Sequence, residues 1–125
     1  MIVKSPPQTQ PLVAGRFTKI WVDDERPTPD ETWYRCKSVF DTIFLLGALS
    51  QLAPDDDILL DLDHDSGQQQ KWGGDFIKIL EYLEDSYHDE LDPVPFIKVH
   101  FHSANPVGVK NMRATVEKCP WMEEV

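Results

Sequence analysis

Three short runs of β-branched, leucine and aromatic residues punctuate this chain: Phe17–Val22, Ile58–Leu62 and Phe96–Phe101. Each has the length of a buried strand and is flanked by polar or turn-forming residues. Thr32–Lys37 has enough aromatic character for a further short strand. Within Ile58–Leu62 the consecutive apolar residues Ile58-Leu59-Leu60 give the pattern of a central parallel strand covered on both faces. Elsewhere the period is helical. Ser38 with Asp41 forms the signature of a capping box, and Val39, Phe40, Ile43, Phe44 and Leu46 supply a wide apolar face behind it. Pro54 and the Asp55-Asp56-Asp57 run end that helix, the aspartates reading as a solvated turn. Gly73-Gly74-Asp75 opens a second helix, with Phe76, Ile77, Leu80 and Leu83 at helical spacing. Pro93 to Pro95 break the chain before the last strand. Asn105-Pro106 then reads as a cap followed by proline at the first helical position, and Val109, Met112 and Val116 are the buried stripe of a final helix.

The element order is therefore β-β-α-β-α-β-α. It predicts an α/β fold, a three-layer sandwich around a mostly parallel four-stranded sheet. Met1 to Gly15, with Pro6, Pro7 and Pro11 among polar residues, reads as a flexible arm (residues 1–15) ahead of a single domain over 16–125. Arg26-Pro27-Thr28-Pro29-Asp30-Glu31 must be loop, because its prolines leave no room for a helix. Ser66 to Trp72 is glutamine-rich and also reads as loop.

Composition narrows the function classes. A length of 125 residues fits one domain with one core. The net charge of −10 argues against an extended nucleic-acid surface, which needs clustered Lys and Arg. A small phosphorylated ligand arriving with a metal remains compatible with it. Cys36 and Cys119 lack metal-ligand spacing and read as reduced packing residues, in keeping with a cytoplasmic location. No apolar run approaches the roughly 18 residues of a membrane span, and the first residues lack the order of a secretion signal.

The candidate chemistry lies where apolar runs turn acidic. Asp23-Asp24 follows Ile20-Trp21-Val22, and Asp61-Leu62-Asp63-His64-Asp65 follows Ile58-Leu59-Leu60. In a parallel sheet the carboxyl ends of such strands share one rim, where ligands of open α/β sheets bind. Asp23, Asp24 and Asp63 would then meet His102-Ser103 from the last strand. Any one of these aspartates is more simply a loop starter or a helix cap; their convergence from three stretches is what points to a site. Carboxylates gathered with no basic residue among them call for a cation, and a hard oxygen set suits Mg²⁺ or Mn²⁺. Asp63 is the rim position. Asp61 lies deeper and either supports the site or is simply buried. Ser103 offers a hydroxyl to a phosphoryl oxygen, and Asn105 is a helix cap that could also touch the ligand. The helix after Asn105 adds backbone N–H groups of the kind that hold anions. His64 reads either as a general acid–base or as an exposed loop histidine; a histidine ordinarily titrates near neutrality. His102, on the same strand face as His100 but nearer the rim, is a further catalytic candidate.

Other motifs fit less well. His64-Asp65 matches the HD phosphohydrolases only as a dipeptide, and it follows a strand instead of lying on a helix. Asp61-Leu62-Asp63 resembles the haloacid-dehalogenase nucleophile motif, but that fold needs a far longer chain after it. Two-histidine phosphoesterases need two His-x-Ser/Thr elements, and only His64-Asp65-Ser66 fits.

A more specific resemblance runs from about Phe17 to Val116. Trp21-Val22-Asp23-Asp24-Glu25-Arg26-Pro27, Leu62-Asp63-His64-Asp65 and Val99-His100-Phe101-His102-Ser103-Ala104-Asn105-Pro106-Val107-Gly108 with Asn111-Met112 resemble the cyclic-phosphate processing receiver domain family. The resemblance implies a reduced receiver-like, flavodoxin-like topology. It also implies an Mg²⁺-binding acidic pair at Asp23 and Asp24, an acceptor-like position at Asp63 and the receivers' Ser/Thr position at Ser103. Gly74 matches a glycine that commonly follows the acceptor loop. Two features depart from ordinary receivers: the loop after the first strand is too short for a full helix, and the lysine that receivers carry after a fifth strand has no counterpart, Lys110 and Lys118 falling on the predicted helix. Arg26 is a candidate for the missing positive charge. The resemblance implies processing or sensing of a cyclic phosphate, such as a 2′,3′-cyclic RNA end or a cyclic nucleotide. With the converging carboxylates, the leading expectation is a metal-dependent phosphoesterase-like or phosphate-binding domain acting on it. The alternative is a non-catalytic signalling module that accepts phosphate on Asp63.

Overall fold

A computed structural model describes residues 17–53, 56–65, 67–87 and 96–125. The arm expected over 1–15, Pro54, Asp55, Ser66 and the break at Pro93–Pro95 lie outside the described residues. The chain forms β1 (Phe17–Val22), β2 (Tyr34–Cys36), α1 (Val39–Leu52), β3 (Asp57–Leu62), a 3-10 turn (Gly67–Trp72), α2 (Ile77–Tyr87), β4 (Ile97–Phe101), α3 (Pro106–Glu117) and β5 (Met122–Glu124). The sheet is wholly parallel, in the order β2-β1-β3-β4-β5. This is the doubly wound order expected of a receiver-like fold.

The strand count corrects the expectation of four. β5 is only three residues long and its side chains are one buried methionine and two exposed glutamates, so it carries no run or alternation to read. It pairs with β4 through Ile97↔Met122 and Val99↔Glu124. Asp57, expected in a solvated turn, instead opens β3 opposite Phe17.

Strand register explains the core. Thr18, Ile58, Ile97 and Met122 share one row; Ile20, Leu60 and Val99 share the next; Cys36, Val22, Leu62 and Phe101 share the one nearest the rim. From the helices Val39, Leu45, Leu46, Phe76, Ile79, Leu80, Leu83, Met112 and Val116 pack against these rows. Cys36 and Cys119 are both free and buried, and burial pushes the Cys36 thiol up to about 12. All three helical crossovers step in the same direction across the sheet, so right-handed connections place α1, α2 and α3 on one face. Of the expected layers, the sheet and this helical layer are built by the described residues, and the opposite sheet face carries no helix among them. That face presents Phe17, Lys19, Trp21, Leu59, Asp61, Lys98 and His100, Leu59 being half-buried.

Local signals hold where they are strong. Ser38 caps α1, its hydroxyl accepting from the Asp41 amide at 3.1 Å. Asn105 caps α3, its side-chain oxygen accepting from the Gly108 amide at 2.9 Å, with Pro106 at the first helical position. The prolines after Arg26 leave the β1–β2 connection without a helix. No helix among the described residues is long and apolar enough to cross a membrane.

Candidate metal and phosphate site

The parallel ladders run one residue past each strand. The Asp23 amide donates to the Cys36 carbonyl (3.1 Å), the Asp63 amide to Val22 (3.0 Å) and the His102 amide to Leu62 (3.0 Å). Backbone pairing thus fixes the heights of Asp23, Asp63 and His102 at the carboxyl rim. One carboxylate oxygen from each of Asp23, Asp24 and Asp63 lies within 4.8 Å of the others. Asp61 is outside this group: its oxygen accepts from His100 Nδ1 (3.0 Å) and His102 Nδ1 (2.7 Å) on the open sheet face.

The three aspartates sit in unlike surroundings. Asp23 is 1% exposed. Burial alone would raise its carboxyl, but the Arg26 and Glu25 amides donate to Oδ1 at 2.9 and 2.8 Å, and His102 Nε2 donates to Oδ2 at 2.8 Å. Together they hold it below the ordinary carboxylate range. Asp24 is shifted the other way. Burial raises its carboxyl, and the negative charges of Glu25, Asp23 and Asp63 push it in the same direction. A β-carbon on Gly67, which has φ +56°, would lie 2.4 Å from Asp24 Oδ2, so only glycine lets this loop close over the carboxylate. Asp63 is half-buried, and one of its oxygens accepts from the His64 amide at 2.7 Å.

This donor set fits a magnesium-like ion. It consists of hard carboxylate oxygens only, and an octahedral site with ligands at about 2.1 Å sets those oxygens roughly 3–4 Å apart. Asp23, Asp24 and Asp63 would hold the ion, which would relieve the repulsion recorded in the raised Asp24 carboxyl.

His102 lies at the rim beside Asp23, where the sequence sets it. Both ring nitrogens face buried carboxylates, Nδ1 toward Asp61 and Nε2 toward Asp23. The ring stacks on Trp21, 3.9 Å between centroids and nearly parallel. Burial lowers its affinity for a proton, but the two carboxylates outweigh burial and raise its pKa, as suits a doubly protonated imidazolium. Arg26 completes the corner: Nη1 donates to the His102 carbonyl at 2.6 Å, Nε lies 3.9 Å from Asp23 Oδ2, and the Arg26 carbonyl accepts from Trp21 Nε1 at 3.0 Å. About half of this guanidinium side chain is exposed at the rim.

His64 sits on the other flank. Its Nδ1 is 2.7 Å from Asp65 Oδ1, and the ring packs against the first turn of α3. A β-carbon on Gly108 would come within 2.3 Å of that ring. Gly108→Ala is therefore expected to turn His64 off α3 and cost about 1–3 kcal/mol. Displaced His64 ring resonances in NMR, with those of His102 unmoved, would verify it. His64, Asp65 and Asp75 form a second set with donor atoms within 4.8 Å of one another. Ser103 Oγ accepts from the Asn105 amide at 3.0 Å. Asn105 is a cap, with its Nδ2 also 3.4 Å from Asp65 Oδ1. The α3 N-terminus has less to offer an anion than its sequence implies: Pro106 has no amide hydrogen, and the Gly108 amide is taken by Asn105.

Sequence reasoning missed the Asp23–His102–Asp61 bridge. The signal was present, since the β3–β4 register sets Asp61 beside His100 and the strand period sets His102 on the same face.

Comparison with known proteins bears on the same segments. No curated protein and no solved structure matches this chain. The family model for the cyclic-phosphate processing receiver domain matches residues 18–118, which include the acidic pair, Asp63, both flanking histidines and the capped start of α3. With that match over most of its length, the chain belongs to the cyclic-phosphate processing receiver domain family.

Proposed function

We propose that the rim of β1, β3 and β4 binds a cyclic phosphate ester, a 2′,3′-cyclic RNA end or a cyclic nucleotide, and opens it by hydrolysis. The observation that carries this reading is the meeting of Asp23, Asp24 and Asp63 within 4.8 Å, in a family named for cyclic phosphates. A divalent cation, when bound there, supplies positive charge to the phosphoryl oxygens and makes a bound water more acidic.

The chain's own groups divide the remaining work. Opening a cyclic diester forms one P–O bond to water and breaks one to a ring oxygen; a proton leaves the water and one is taken up by the departing oxygen. His64 is the relay in this reading. Asp65 at Nδ1 favours the tautomer with the proton on that nitrogen and leaves Nε2 basic. His102 is a positioning residue, since both its nitrogens are already engaged by carboxylates. Arg26 faces the anionic ligand in place of the receiver lysine, and Ser103 donates its hydroxyl hydrogen to a phosphoryl oxygen. β5 itself is Met122-Glu123-Glu124, without a lysine.

The test is turnover of a panel of 2′,3′- and 3′,5′-cyclic nucleotides with Mg²⁺ or Mn²⁺. His64→Ala is expected to lower kcat by about 10²–10⁴-fold, the usual worth of a general acid–base, and Asp63→Asn to abolish turnover. Activity unchanged in Asp63→Asn would sink the assignment. A stable, acid-labile phosphoryl adduct on Asp63 after incubation with a small phosphodonor would make the domain a signalling receiver instead.

A further inference from the structure

α1 has the composition of an interior helix yet lies at the surface. Its only ionisable residue is Asp41, in a chain of which 27% is charged. A surface helix ordinarily turns a charged stripe to solvent. The outer stripe of α1 is Phe40, Phe44, Gly47, Ala48 and Gln51, and Phe40 and Phe44 are 57% and 63% exposed. Leu52 ends the helix 81% exposed, and Trp72, next to the Gly73 that packs on Val39 and Phe40, is 48% exposed. At about 200 Å² per large apolar side chain, these four leave on the order of 500 Å² of apolar surface in water.

We infer that α1 packs against α1 of a second copy of this chain, antiparallel, about a two-fold axis passing near Gly47. A β-carbon at Gly47 would meet nothing within 4 Å, so the helix backbone is open to close approach at that point. Antiparallel pairing lays Phe44 of one copy over Ala48 and Gln51 of the other, and Phe40 toward the far end of the partner helix. An interface that covered all four side chains on both copies would bury about 1,000 Å², the threshold of a specific interface. Charge selects the same occupant. With a net charge of −10, two copies repel over most of their surface, and on this stripe the one charged side chain is Asp41 at its N-terminal edge. The antiparallel crossing also places the two Asp41 residues at opposite ends, about 18 Å apart by helical rise, beyond the roughly 8 Å Debye length of physiological salt. A strongly basic partner would find only Asp41 as counter-charge on this stripe.

Sedimentation of the full chain from about 1 to 500 µM, a range that brackets micromolar association, tests the pairing. The expected result is conversion from the 14.4 kDa monomer to twice that mass with rising concentration. Gly47→Glu and Phe44→Glu should both stay monomeric at every concentration. Gly47→Glu has open space for its side chain and replaces the poorer helix former, so it keeps the fold. A wild-type chain that is monomeric throughout overturns the proposal and leaves the stripe to residues 1–16 or to a different protein. A dimer that survives both substitutions overturns it equally, because the two-fold axis then lies on another face.

Discussion

Replacing His102 with alanine is expected to destabilise the protein by about 3–5 kcal/mol, the cost of breaking a buried charge pair by deleting one partner. His102 and Asp61 side chains are each 11% exposed and Asp23 is 1% exposed. Without His102, Asp61 keeps His100 Nδ1 and Asp23 keeps the Glu25 and Arg26 amides, but each loses its charged partner inside the corner. The substitution also removes the ring stacked on Trp21. Against a typical total of about 5–15 kcal/mol, that is a large share of the stability. For a chain of this size the melting temperature should fall by roughly 10–20 °C. His102→Gln, which keeps a donor toward only one carboxylate, should lie between the two. A His102→Ala melting temperature within about 2 °C of wild type, on a scale where 1 kcal/mol moves it by several degrees, would mean that the bridge does not hold the corner.

The same bridge sets the pH profile of the metal-free protein. His102 has a raised pKa, so its contribution is complete below the unfolded histidine value near 6.5 and is lost as pH climbs through the folded value. Asp23 has a lowered pKa, so its contribution is present above the ordinary aspartate value and is lost as pH falls through the folded one. Stability from this corner is greatest between those two limits. The His102→Ala variant should lose the alkaline-side slope, which circular-dichroism melts across pH would show.

Asp24→Asn is expected to give opposite signs with and without metal. Without an ion, Asp24 carries a carboxylate whose ionised form is disfavoured by burial and by Glu25, Asp23 and Asp63. Asparagine removes the charge while keeping the size, so the metal-free variant should melt at or above wild type. Divalent affinity should fall about tenfold or more, because carboxylate count sets the affinity of such sites. Stability gained at the expense of function is the usual signature of a binding site. A variant that loses stability and keeps its metal affinity would assign Asp24 to structure alone.

Much of this was legible in the chain. The strands β1, β3 and β4 announce themselves because their register rows bury isoleucine, leucine and valine together, and the caps at Ser38 and Asn105 use side-chain chemistry that acts locally. The rim aspartates were legible for the same reason: backbone pairing carries Asp23 and Asp63 to fixed heights. What could not be read depends on contacts between distant segments. β5 is held by pairing with β4, not by a pattern of its own. The role of His102 lay within reach of the strand period, yet it rests on Asp61, a residue 41 positions away that reaches it across the sheet. Gly67 and Gly108 matter because of what approaches them, Asp24 in one case and the His64 ring in the other.

Calorimetric titration of the full chain with Mn²⁺, for wild type and Asp63→Asn, addresses the carboxylate cluster without relying on turnover. Wild type should bind with saturable heat and gain about 2.7 kcal/mol of stability at a hundredfold excess over Kd. Asp63→Asn should lose that affinity by about tenfold or more. Absence of binding and of thermal stabilisation up to about 10 mM Mn²⁺, beyond even weak carboxylate sites, would contradict the account, as would an Asp63→Asn variant that binds as wild type does.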